Sequence, residues 1–153
     1  MTSKSLYWED FTLDRRWQRT AEQTIDLEHI VSFALEYDPL AFHIDPERAP
    51  HTPVGVHCAS GIQTLGMAQR LMCEAFLLDT EVVAGAGIEQ LRFTAPVVPG
   101  DRLQLQVRVV EATAHERRSD SGWVWFEVQV ATQVRTALVY RICMLVMRRA
   151  PAT

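Results

Sequence analysis

The chain has 153 residues, of which 48% are hydrophobic and 22% charged, a balance that suits one globular domain with a proper core and excludes a disordered chain. A formal net charge of −4 and the lack of a dense Lys/Arg run speak against a nucleic-acid binder. No run approaches the roughly 20 apolar residues of a membrane span, so no membrane partner is expected.

The segment from Met1 to Leu6 lacks the apolar stretch of a signal peptide, which points to a cytoplasmic protein. Three widely spaced cysteines, Cys58, Cys73 and Cys143, agree with a reducing compartment, where cysteine acts as a small buried hydrophobe. The first 13 residues, with Tyr7-Trp8-Glu9-Asp10-Phe11, are expected to pack as an N-terminal arm. Trp17 to Ile25 alternates weakly and is expected to hold a short strand.

Asp26 to Tyr37 reads as a helix, with Asp26 as N-cap and Leu27, Ile30, Val31 and Ala34 at helical spacing. Pro39 ends it, because the residue before a proline is pushed out of the α region. From Asp38 to Pro53 four prolines (Pro39, Pro46, Pro50 and Pro53) predict an irregular segment lying over a surface. Ser60 to Leu78 is the longest helical pattern, capped by Ser60, with Ile62, Leu65, Met72 and Phe76 on one side. Leu71, Ala75 and Leu77 extend its apolar character nearly all round, which predicts a buried helix.

The second half reads as strands. Gly87 to Ala95 runs into a turn at Pro96-Val97-Val98-Pro99-Gly100-Asp101. Leu103, Leu105, Val107 and Val109 alternate with polar residues, as do Val124, Phe126, Val128 and Val130, and Thr136 to Arg149 forms a third long run. Ser119 to Gly122 and Thr132-Gln133 supply the turns. One buried helix and a long antiparallel sheet predict an α+β layer structure in which the sheet wraps the helix.

Asp38 and His43 are the sharpest chemical feature. A carboxylate and an imidazole suit a reaction that delivers water to one carbon and manages a proton at its neighbour. On a continuous helix five residues would separate them by about 140°, but Pro39 breaks the helix and lets the loop fold both side chains toward one point. The blander reading is that Asp-Pro is common turn chemistry and His43 an ordinary loop residue. Cys58-Ala59-Ser60-Gly61 opens the long helix, where first-turn N–H groups face outward and favour developing negative charge. The Gly61 N–H suits a thioester oxygen there, unless Ser60 simply caps a core helix.

The other histidines, His29, His51, His57 and His115, lack metal-ligand spacing. His57 lies close to the helix start, but a place in the same pocket is the less favoured reading. Cys58 has no evident base and is expected to be inert. Trp123 and Trp125, on one strand face, read as core or interface.

The run Tyr37-Asp38-Pro39-Leu40-Ala41-Phe42-His43-Ile44-Asp45-Pro46 resembles the signature loop of MaoC-like dehydratases, related to (R)-specific enoyl-CoA hydratases. Cys58-Ala59-Ser60-Gly61 is similar to that family's Ala-Ser-Gly helix start, and Leu91 to Asp101 to its strand–turn motif. The resemblance runs over nearly the whole chain, 1–153, in family order. It implies a single hot-dog domain, usually a homodimer or higher homo-oligomer. It implies Asp38 and His43 as the catalytic pair, and Ser60 and Gly61 as the substrate-binding residues, Ser60 beside the pair and Gly61 with its N–H on the thioester carbonyl. The implied reaction interconverts an enoyl-CoA and a 3-hydroxyacyl-CoA, with no metal or redox cofactor; coenzyme A is part of the acyl-thioester substrate. The loop departs from the hydratase pattern Asp-x-Asn-Pro-x-His by lacking the asparagine, and His57-Cys58 before Ala59 is unusual. An acyl-CoA thioesterase and a non-catalytic acyl-thioester binding protein stay open as alternatives, since fold does not fix function.

Overall fold

A computed structural model describes residues 5–150. Five antiparallel strands form one sheet: β1 (Arg16–Thr20), β2 (Val82–Phe93), β3 (Gln104–Ala114), β4 (Ser121–Ala131) and β5 (Thr136–Met147), in the order β1-β3-β4-β5-β2. Helices α1 (Leu27–Tyr37), α2 (Ala41–Ile44) and α3 (Gly61–Ala75) fall between β1 and β2 in the chain. The consecutive strands β3, β4 and β5 pair as neighbours, and the early strands β1 and β2 close the two edges. The inner face carries the alternating apolar set: Leu105, Val107 and Val109, then Val124, Phe126, Val128 and Val130 are each at most 2% exposed. Helix α3 lies against this face, touching β1, β3 and β5, which is the expected α+β hot-dog arrangement.

Local chemistry explains the helix boundaries. The Asp26 carboxylate accepts the His29 N–H at 2.7 Å and starts α1. Asp38 is its C-cap, with φ −156° and ψ 66°, where Pro39 disfavours a further helical residue. The Ser60 hydroxyl caps α3 by accepting the Ile62 N–H at 3.2 Å.

Several boundaries differ from expectation. The early strand is Arg16–Thr20 rather than a run to Ile25, and β2 begins at Val82. The irregular segment contains a one-turn helix, α2, and a 3-10 turn at Ala49–His51. Helix α3 ends at Ala75, and Leu77–Asp79 continues as a 3-10 turn. Nor is α3 enclosed all round within this chain: Ile62 is 55% exposed and Gly66 and Arg70 are exposed beside it, whereas Thr64, Ala68, Leu71 and Met72 form the buried stripe. An apolar sequence shows that a face avoids water, not what covers it. Trp123 and Trp125 alternate with the inward Val124 and Phe126, so they stand half-buried on the outer face and not in the core.

The N-terminal arm packs as expected where it is described; Met1 to Lys4 lie outside the described residues. Trp8 donates its indole N–H to the Trp123 carbonyl at 3.2 Å, and Asp10 pairs with Arg149 at the far end of the chain. The Trp8 ring occupies the space above Gly122, where a Cβ would come within 2.4 Å of it. That contact allows only glycine at the start of β4. Among the described residues, no helix is long and apolar enough to cross a membrane.

Candidate active site

The site forms where α1 ends, α2 turns and α3 begins. Asp38 leaves α1 with its side chain 27% exposed. The Leu40 N–H returns to the Asp38 carbonyl at 2.8 Å, and the His43 N–H bonds the Leu40 carbonyl at 2.8 Å, closing the one-turn helix that carries His43 back. As a result His43 Nε2 lies 3.4 Å from Asp38 Oδ2. The imidazole is 5% exposed, and the Phe42 ring packs edge-on against it at 4.3 Å between centroids.

The partners determine the imidazole's tautomer. His43 Nδ1 is 2.7 Å from the Cys58 carbonyl oxygen, which can only accept, so Nδ1 carries the hydrogen. Neutral His43 therefore presents a lone pair at Nε2 toward Asp38, and a protonated His43 donates there. Ser60 donates its hydroxyl hydrogen to Asp38 Oδ2 at 2.7 Å. Ser60 is 0% exposed and is not among the residues lining the neighbouring cavity; the contact it makes here is with Asp38. The same hydroxyl oxygen accepts the Ile62 N–H, which ties the carboxylate to the first turn of α3.

A cavity of ≈ 400 Å³ opens beside this group, lined by His43, Gly61 and Thr64 and by apolar side chains including Val54, Phe93 and Val97. Asp38 is not among its lining residues. Gly61 is the first residue of α3, so its N–H has no carbonyl partner within the helix. A Cβ on Gly61 would lie 2.6 Å from the Phe93 ring, so glycine is what lets that ring lie across the helix start. Asp38, His43, Ser60 and Gly61 are thus brought to one locus, the first two from the loop and the last two from the helix start.

Cys58 is buried, and burial pushes its thiol above the usual range, away from the nucleophilic thiolate. His43 Nδ1, 3.9 Å from the Cys58 sulfur, is already committed to the Cys58 carbonyl. His57 is 8% exposed and donates from Nε2 to the His43 carbonyl at 2.8 Å; it reaches the site through the backbone and does not line the pocket. His115 stacks on Trp123 away from the site, with 5.1 Å between ring centroids. Among the described residues no group of three or more His, Cys, Asp or Glu side chains is arranged to hold a metal ion.

Ser60→Ala removes both the cap and the hydrogen bond to Asp38. We expect a stability loss of about 1 kcal/mol in urea unfolding and a roughly tenfold lower turnover from the loosened carboxylate. Unchanged turnover would show that Asp38 needs no such support.

Comparison with known proteins matches residues 10–130 to the model of the MaoC-like domain. The uncharacterized protein YdeM of Bacillus subtilis is 31% identical over 103 residues, spanning 67% of this chain and 72% of that protein. The 3-hydroxyacyl-thioester dehydratase Z of Mycobacterium tuberculosis is 34% identical over 83 residues, which span 53% of this chain and only 55% of that protein. Among solved structures, a MaoC-like dehydratase from Rhodospirillum rubrum superimposes with a TM-score of 0.86 at 29% identity, covering 96% of this chain and 100% of that one.

Proposed function

The chain belongs to the family of MaoC-like domains, and on that premise we propose that it interconverts an enoyl thioester and a 3-hydroxyacyl thioester, with coenzyme A as part of the substrate. The observation that carries this reading is the 3.4 Å approach of His43 Nε2 to Asp38 Oδ2 beside a cavity that His43 lines. Both groups have hydrogen-bonded supports, as acid–base catalysis requires.

In the hydration direction, a water held by the pair loses a proton to one member as its oxygen bonds the β-carbon. The π electrons move toward the α-carbon and the thioester oxygen, giving an enolate. The Gly61 N–H faces that developing charge from the positive end of α3. The pair then delivers one proton to the α-carbon and regains its starting charge. In our reading Asp38 takes the proton from water and His43 shares its passage to the α-carbon. Dehydration reverses each step.

Val54 and Phe93 line the cavity yet stay 44% and 52% exposed, which suits an apolar acyl chain. Purified protein is expected to remove the enoyl absorbance of crotonyl-CoA without releasing free thiol. Thiol release from saturated acyl-CoA with no loss of enoyl absorbance would replace this reading with a thioesterase, and saturable binding without turnover would replace it with a carrier.

We further propose that a second copy pairs along β2. This edge strand has 12 residues, nearly all exposed, including Val82, Val83, Ile88 and Phe93, and such an edge is usually covered. Light scattering is expected to give at least twice 17.4 kDa; a single-chain mass at micromolar concentration would contradict this.

A further inference from the structure

The dipeptide His57-Cys58 grips His43 from two sides. The Cys58 carbonyl accepts the His43 ring Nδ1–H at 2.7 Å, and the Cys58 N–H donates to the Phe42 carbonyl at 3.1 Å. The third bond comes from the His57 ring: its Nε2 lies 2.8 Å from the His43 carbonyl, an acceptor, so Nε2 carries the hydrogen. Helix α2 is a single turn, and its last carbonyls have no partner within the helix. The His57 donor therefore meets a backbone group that α2 leaves open, on the residue whose ring faces Asp38.

Packing alone does not explain an imidazole at position 57. The side chain is 8% exposed, and its Nδ1 is buried with no hydrogen-bond partner among the described residues. A buried polar atom without a partner is destabilising. An apolar side chain would fill the space without that defect, so what sets histidine apart here is the bond from Nε2. Local departures of this kind are expected where a site needs its groups held still.

We propose that His57 is a positioning residue for His43, holding the His43 carbonyl so that the one-turn helix keeps Nε2 directed at Asp38. This rests on the assignment of His43 to proton transfer, and it adds a residue that never touches substrate. The structure links 57 to 43 through the backbone, so the effect reaches the ring by way of α2.

The test compares His57→Leu, which removes the donor, with His57→Gln, whose side-chain amide restores an N–H at similar reach. Two readouts are taken on the intact chain: kcat and KM with crotonyl-CoA, and the proton NMR signal of the His43 Nδ1–H, which needs no substrate. We expect the leucine variant to melt near the wild-type temperature but to lose about tenfold or more in kcat with little change in KM. Its His43 Nδ1–H is expected to exchange faster, and the glutamine variant to recover most of both properties. Should leucine prevent folding, His57→Met fills the volume without a donor and takes its place.

Wild-type kcat and an unchanged His43 signal in the donor-free variant would overturn the proposal. So would a lower kcat with that signal unaltered, or a glutamine variant as impaired as leucine. If the wild-type protein turns over no enoyl-CoA, the lyase reading falls, and the His43 signal still decides whether His57 positions it.

Discussion

His43→Ala is expected to slow the hydration of crotonyl-CoA about 10²–10⁴-fold, and Asp38→Asn by a similar factor. The basis is geometric. In His43 the Nδ1 hydrogen is committed to the Cys58 carbonyl, which leaves Nε2 as the one nitrogen able to exchange a proton with the site. Alanine removes it without adding a group of its own, and the Ser60–Asp38 hydrogen bond remains to hold the carboxylate. Asparagine at 38 keeps the shape but no longer accepts a proton at neutral pH. Ser60 can still donate to its amide oxygen, so a folded, slow enzyme is expected and not a collapsed site. Stopped assays of enoyl absorbance, with melting curves for both variants, check this. Either variant running at the wild-type rate would remove its residue from the mechanism.

Phe126→Ala should have the largest effect on stability and little on chemistry. Phe126 is 0% exposed and sits among Phe11 at 5.6 Å, Phe76 at 5.4 Å and Trp17 at 6.4 Å between ring centroids. Trp17 stacks on Phe76 at 4.2 Å, so the cluster joins the N-terminal arm, β1, β4 and the residue that ends α3. Truncating a fully buried phenylalanine costs about 3–5 kcal/mol in transfer and cavity energy. At roughly 2–4 °C per kcal/mol for a chain of this size, Tm should fall by about ten degrees. The cluster packs at the C-terminal end of α3, whereas Ser60 and Gly61 stand at the other end of this 15-residue helix. Turnover measured well below the melting range should therefore stay near wild type. An unchanged Tm would mean that the neighbouring rings close the gap.

The fold was legible where one residue type has one job. Asp26 and Ser60 announce their helices because a short polar side chain can satisfy the first-turn N–H groups. The alternation from Leu103 to Val109 and from Val124 to Val130 reads directly as strands with one buried face. The Asp38–His43 locus was legible through Pro39, which ends α1 and frees the loop.

What stayed hidden depends on backbone groups and on distant surfaces. The carbonyl that determines the tautomer of His43 belongs to Cys58, and a carbonyl carries no mark of residue type. The bond from His57 to the His43 carbonyl was hidden for the same reason. Gln63 and Thr64 are 3% and 4% exposed, although their polarity suggests a surface, because each finds a backbone carbonyl: His29 for Gln63 and Ser60 for Thr64. Ile62 shares its side of the helical pattern with Met72 and Phe76, yet it is 55% exposed and the buried stripe runs through Thr64, Ala68 and Leu71. Two or three apolar residues on a helix are compatible with more than one face.

The central claim is that Asp38 and His43 handle protons as one unit, and a double-variant cycle tests it most directly. Crotonyl-CoA hydration is measured for the wild type, for Asp38→Asn, for His43→Ala and for the two changes together. Groups acting as a unit give grossly non-additive losses, so the double variant should be about as slow as the slower single one. Losses that multiply would show two residues working independently and would contradict the account.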